Sequence, residues 1–319
     1  MTAAEFLTID APAMLVAVFA ATSCGLLGNF LVLRRQALIG DAISHVVLPG
    51  IVVGFIAAGT LATLPLMLGA MGAAVIAAAL IEIIRRAGRL ETGAAMGVVF
   101  TTMFAAGIVL LEQSGASDAH LDAEHALYGN LESTLWLGPT GWGDVLKPEV
   151  LALLPRQLVT LGAVTLVIAA LIALFFKELK VTTFDPGLAA SLGLPVNAIS
   201  TALIVTVALA AVAAFGAVGS ILVIAMFICP AATARMLTDS LARQLWISVV
   251  VAAASGIGGY MAAAFGPHLW GGADSLSAAG MIAVVAGLLQ VAAMVFAPRY
   301  GVLARTLRHR QSRLNPAGS

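Results

Sequence analysis

Apolar stretches, most of them about twenty residues long, recur along nearly the whole chain, at 12–33, 43–58, 62–84, 93–112, 155–176, 198–214, 219–237, 243–265 and 277–297. That repetition dictates the solvent before any motif is read. A helix of about 20 residues crosses a hydrocarbon core about 30 Å thick, and within lipid every backbone N–H and C=O must be paired inside its own segment or in a closed barrel. The runs are rich in Ala, Gly and Leu and lack the alternation of a barrel strand, so helices are predicted. Only 10% of residues are charged and the mean hydropathy is +1.04. The expected fold is all-α: a polytopic transmembrane helical bundle of about eight or nine spans in one domain, residues 1–298, with a basic tail at 299–319. Segment 12–33 is expected to be retained, because no Lys or Arg precedes it and its apolar length exceeds that of a cleavable signal.

The basic residues orient the bundle. Arg34 and Arg35, then Arg85, Arg86 and Arg89, then Lys177 and Lys180, then Arg235 and Arg243 lie in alternate connections, and Arg299, Arg305, Arg308, Arg310 and Arg313 lie in the tail. Lys and Arg concentrate on the cytoplasmic side, so a cytoplasmic C-terminus is predicted. Nine spans then put the N-terminus outside, whereas a re-entrant segment gives eight and reverses it. The long connection at 113–154 falls outside and, with its flanks, is acidic, carrying Glu112, Asp118, Asp122, Glu124, Glu132, Asp144 and Glu149. That balance suits a cationic solute or a docking partner, and equally an ordinary solvated loop. Within it, His120, Asp122, Glu124 and His125 form a cluster able to hand a metal ion inward, or simply solvated loop charge.

Enzymatic chemistry has no visible apparatus. The chain has no Gly-x-x-x-x-Gly-Lys-Ser/Thr loop to cradle a nucleotide and no His-Glu-x-x-His or Ser-His-Asp arrangement, so any ATP hydrolysis is expected on another chain. Cys24 and Cys229 lie in apolar segments, where a free thiol behaves as a small hydrophobe.

Asp41 and His45 are the sharpest clue. A charged group held within a bilayer costs about 2.5–3.5 kcal/mol on insertion scales and by default marks a functional site. Four residues apart on a helix, the carboxylate and the imidazole share a face and can converge on one ion. Oxygen plus nitrogen suits a first-row divalent cation, and imidazole accommodates zinc, manganese or iron without selecting among them. The plainer alternative is a packed histidine bonded to Asp41. Pro49 removes the hydrogen bond to the carbonyl of His45, and Pro230 does the same to Met226, so kinks are expected at both. Glycines at 25, 28, 216, 219, 256, 258 and 259 are expected to permit close helix approach.

One cytoplasmic connection carries capping signals: Phe184-Asp185-Pro186-Gly187-Leu188-Ala189-Ala190-Ser191-Leu192-Gly193-Leu194-Pro195. Asp185 suits an N-cap, Pro186 the first helical position and Gly193 a left-handed closing residue, predicting a short helix at 185–193 between two spans.

Leu38 to Gly50, Phe184 to Pro195 and Ile224 to Arg235, three motifs in order, resemble the integral-membrane permease family of bacterial metal-uptake ABC transporters for manganese, zinc or iron. Leu127-Tyr128-Gly129-Asn130 is similar to the family's outside segment, and the likeness runs from about residue 12 to 298. Cys229 departs from the residues usual before the proline that matches Pro230. The resemblance implies a permease subunit of the cytoplasmic (inner) membrane that pairs with a second copy or a homologue. It implies two cytosolic ATPases and an extracytoplasmic metal-binding protein as partners, and import as the direction. Asp41 and His45 carry over as residues of the metal path, and Phe184, Asp185, Pro186, Ala189 and Gly193 as part of the helix that couples to the ATPase. No permanent cofactor or nucleic acid is implied; the metal is the substrate. Two rivals differ in kind: a stand-alone secondary carrier or channel, and a permease for a siderophore or corrinoid chelate, which would need no bare-metal ligands.

Overall fold

A computed structural model of the protein describes residues 2–60, 63–114, 129, 131–139, 141–269, 276–298 and 300–304. The side chains of Asp41, Arg86 and His268 fall outside that description, as do His120, Asp122, Glu124, His125, Asp274 and the tail beyond 304. Among the described residues the regular structure is entirely helical. The main elements are α1 (Ala11–Leu33), α2 (Leu38–Ala58), α3 (Thr63–Gly88), α4 (Thr92–Gln113), α5 (Arg156–Leu174), α6 (Phe176–Phe184), α7 (Pro186–Ser191), α8 (Val196–Leu237), α9 (Leu241–Leu269) and α10 (Ala278–Phe296).

Seven of these, α1, α3, α4, α5, α8, α9 and α10, are long and apolar enough to cross a membrane, and α2 adds a shorter apolar run, His45–Ala58. Helix α8 is a special case. Its 42 residues would span about 63 Å if straight, twice a hydrocarbon core. The backbone breaks at Gly219, where φ is 75° and ψ 166°, a combination essentially restricted to glycine. Contacts at both ends show that the chain turns back there. Ser200 lies beside Arg34 at the end of α1, Gly219 lies against Gly129, and Asp239 lies beside Tyr300, beyond the far end of α10. The two arms of α8 therefore run in opposite directions and correspond to the two apolar segments, 198–214 and 219–237, that the hydropathy marks.

Pro49 and Pro230 both lie inside their helices, and the one non-helical φ/ψ within α8 falls at Gly219. Proline's fixed φ of about −65° is itself helical, whereas a positive φ leaves the helix altogether. Gly219 is thus a conformational glycine as well as a point of close approach, since Gly129 packs against its backbone, whereas Gly216 faces open space.

Packing elsewhere follows the small-residue logic of lipid-embedded helices, which lack a hydrophobic drive toward one another and associate by close approach. A Cβ at Gly28 would strike the Phe227 carbonyl, and one at Gly259 would strike the Ile282 backbone. Around these crossings Leu27, Phe30, Leu31, Leu222, Met226, Phe227 and Ile282 form the heart of the main core, with Cys24 fully buried in it as an apolar filler.

The segment at 131–151 docks across the end of the bundle opposite Arg34. Trp136 N donates to Thr8 O (2.9 Å) and Trp136 Nε1 to Val150 O (3.0 Å). Glu132 Oε1 accepts from Ala278 N at 2.8 Å and so caps α10. Beneath it, Tyr260 donates to the buried Asp10 carboxylate at 2.9 Å.

Candidate functional site

Helix α2 carries Asp41 and His45. It follows α1 through a tight Schellman closure: Gln36 N donates to Leu31 O (2.8 Å) and Arg35 N to Val32 O (3.1 Å), with Arg35 in the left-handed region at φ 57°. Gly59 ends α2 at φ 64°, where a residue with a Cβ is disfavoured. Between these ends α2 is wedged against two neighbours. Gly50 and Gly54 meet α3 at Gly69 and Pro65, leaving no room for a Cβ, and Gly107 of α4 is closed off by the Pro49 ring. Proline here supplies a packing surface as well as removing a donor.

His45 lies on the α4 side of α2. Its ring stacks on Phe100 (centroids 5.4 Å, planes 26° apart) and meets the edge of Phe104 (5.4 Å, 76°). It is seven residues past Leu38, about 10 Å along the helix, and partly buried. Asp41 stands one turn earlier on the same continuous helix, so the backbone gives the i, i+4 spacing that the sequence predicts. Among the described residues no three His, Cys, Asp or Glu side chains gather to hold a metal ion. Below α2, a cavity of about 510 Å³ opens beside Gln36, Ala42, Glu82, Arg85, Asn197 and Ser200. Glu82 and Arg85 form a local i, i+3 pair there, bidentate at 2.7 and 2.9 Å.

The short helix forms as its signals predict. Asp185 Oδ1 accepts from Leu188 N at 2.9 Å, and Pro186 opens the first turn. Gly193, at φ 80°, closes it as Leu194 N donates to Ala189 O and Gly193 N to Ala190 O, both 3.0 Å. Ala189 faces inward and is fully buried, whereas Phe184, Leu188 and Leu192 are exposed at 52%, 50% and 64%. The surface α7 offers is therefore apolar and built by those three side chains.

Two polar arrangements escaped the sequence reading. At the end of α1, Arg34 Nε donates to Thr183 Oγ1 (3.1 Å), Nη1 to Ser200 Oγ (3.0 Å) and Nη2 to Thr182 Oγ1 (3.1 Å). Burial draws this guanidinium below its usual pKa. Deeper in the bundle, Asn29 Nδ2 donates to Ser248 Oγ (2.7 Å) and to Gly25 O (2.8 Å), and Gln244 Nε2 donates to Asn29 Oδ1 (2.9 Å). All three of these polar side chains are fully buried, and Gln244 Oε1 has no partner among the described residues. Asn29, Gln244 and Ser248 each interrupt an apolar run, which was the available signal.

With this geometry established, comparison with known proteins gives a consistent result. The sequence pattern of the ABC 3 transport family matches residues 6–134 and 145–297. The chain belongs to the ABC 3 transport family. This family member is 38% identical over 291 residues to the manganese transport system membrane protein MntD of Bacillus subtilis, covering 91% of this chain and 93% of that one. It is 38% identical over 303 residues to the zinc transport system membrane protein TroD of Treponema pallidum, covering 95% and 78%. Among solved structures it resembles PsaBC from Streptococcus pneumoniae in complex with Fab, with a TM-score of 0.73 and 28% identity over 93% of this chain and 94% of that one. As an ABC 3 family member the chain is a multi-pass membrane permease, in accord with the seven long apolar helices among the described residues.

Proposed function

We propose that this chain is the permease subunit of an importer that carries a bare divalent transition-metal ion, Mn2+, Zn2+ or Fe2+, across the cytoplasmic membrane by alternating access. The observation that carries the reading is that relatives aligned over about nine-tenths of the chain are named manganese and zinc transport system membrane proteins. Residues 1–298 are the permease domain, 113–154 its extracytoplasmic connection, 185–193 the coupling helix and 299–319 a cytoplasmic tail. The end of the bundle rich in Arg and Lys is then cytoplasmic.

Asp41 and His45 line the metal path. Two ligands hold a cation weakly, so a second permease copy or a homologue completes the coordination with its own pair, giving the four ligands that zinc commonly takes. Phe100 and Phe104 hold the imidazole plane and limit its rotation. Cytosolic ATPase subunits, two in number, grip α7 on Phe184, Leu188 and Leu192. An external binding protein delivers the metal at the 131–151 end, with His120, Asp122, Glu124 and His125 available to pass it inward. Coupling requires two states that both nucleotide and metal bias.

The test is ATP-dependent uptake in liposomes, compared across Mn2+, Zn2+ and Fe2+, with Asp41→Asn and His45→Ala variants that still insert and assemble. Loss of uptake in both is expected. Near-normal uptake in both would remove the ligand assignment, and metal flux that no ATPase stimulates would point instead to a stand-alone carrier.

A further inference from the structure

We propose that Arg34 is a positioning residue that transmits displacement of α7 to α2, and so to the helix bearing Asp41 and His45. The inference rests on the reading of α7 as the ATPase-coupling helix and adds the physical connection between it and the metal path. Thr182 and Thr183 occupy the last turn of α6, immediately before α7, and Ser200 lies in the second turn of α8, immediately after it. A single guanidinium holds all three hydroxyls at 3.0–3.1 Å. The excursion containing α7 is therefore pinned at both roots to one side chain.

On the other side of Arg34 the connection is short and stiff. Only Arg35, Gln36 and Ala37 separate it from Leu38, the first residue of α2. The Schellman bonds and the further bond from Ile39 N to Gln36 O at 3.0 Å leave these residues little freedom. Arg35 is held at a positive φ, an unfavourable conformation for a residue with a Cβ, which the surrounding contacts must over-determine. Gly40, next in line, abuts the Phe227 ring so closely that a Cβ would lie 2.9 Å from Cδ2. A shift of the α7 roots thus moves the start of α2 as a body and presses it along α8.

The chemistry of the joint suits repeated movement. Its acceptors are hydroxyls, and no described carboxylate pairs with Arg34. Hydrogen bonds to hydroxyls can be exchanged one at a time within a planar five-donor fork, whereas a buried ion pair resists separation.

The experiment uses the permease assembled with its ATPase subunits in liposomes, with Mn2+ and Zn2+ as probes, and reads metal transported per ATP hydrolysed. Arg34→Gln is expected to keep hydrolysis within about twofold while the ratio falls at least about fivefold, the lower bound of ordinary coupling between sites. Arg34→Lys, a point charge without the fork, should not rescue it. The combined Thr182→Val, Thr183→Val and Ser200→Ala variant leaves the cation in place, so it serves if Arg34→Gln assembles poorly; it should lower the ratio equally, and adding Arg34→Gln to it should lower it no further. An unchanged ratio overturns the proposal, and so does an equal fall of hydrolysis and uptake, which marks a folding role. Leu188→Asp, measured in parallel, separates the two readings. If it leaves ATPase assembly and the ratio intact, α7 is not the coupling helix, whatever Arg34 does.

Discussion

Asn29→Leu is the substitution whose cost follows most directly from the structure. Leu keeps the branched four-heavy-atom skeleton of Asn and is somewhat bulkier, so the shape is largely kept while the polar partners are lost. Asn29 makes two interhelical hydrogen bonds, to Ser248 Oγ at 2.7 Å and from Gln244 Nε2 at 2.9 Å. Such bonds average about 0.6 kcal/mol within membranes and reach about 1.7. Ser248 keeps its own bond to Leu245 O at 2.8 Å and is not stranded. Gln244 is stranded: it is fully buried and its Oε1 already lacks a partner, so losing Asn29 orphans its donor as well. That adds about 1–3 kcal/mol, for an expected total of about 2–4 kcal/mol. Pairing Asn29→Leu with Gln244→Met deletes the stranded groups altogether and should recover at least about 1 kcal/mol. Equilibrium unfolding in mixed detergent and lipid micelles, followed by tryptophan fluorescence, measures both. A single variant within about 0.5 kcal/mol of the native protein, the range of an inert substitution, or a double variant no more stable than the single, would refute the reasoning.

Gly219→Ala forces a Cβ into a glycine-only backbone region and should destabilise the hairpin of α8 by about 1–3 kcal/mol, read by the same unfolding assay against Gly216→Ala, which faces open space and should change little. Asp185→Ala removes the N-cap of α7 and should weaken that helix by about 1 kcal/mol, with Asn restoring it; hydrogen exchange at Leu188 N reports the change. Phe100→Ala and Phe104→Ala free the His45 ring and should weaken metal uptake while leaving membrane insertion intact, which a parallel uptake and expression measurement distinguishes.

The site was only partly legible in advance. Asp41 and His45 stood out because ionisable residues are rare in apolar runs, and the cap of α7 stood out because its signals lie within a few residues of one another. The partners of Asn29, Gln244 and Arg34 were not legible, because a lone polar residue does not announce what it meets. Arg34 meets groups 148 to 166 positions away, and Gln244 meets Asn29 across 215.

By itself the sequence determined that the chain lives in lipid, along which stretches its long apolar helices lie, and which end of the bundle is basic. These are local properties, because a solvent that offers no hydrogen bonds makes each segment satisfy its own backbone, and hydropathy then marks the segments directly. Only the tertiary structure decided that the reversal between the two predicted spans of 196–237 is made at the single residue Gly219 with no intervening loop, that both prolines stay within their helices, and that one arginine ties α1 to both roots of α7. The helices here are apolar almost all round, so no stripe on them names a neighbour. Partners are chosen by the fit of glycine notches to facing ridges, and that fit exists only once the bundle is assembled.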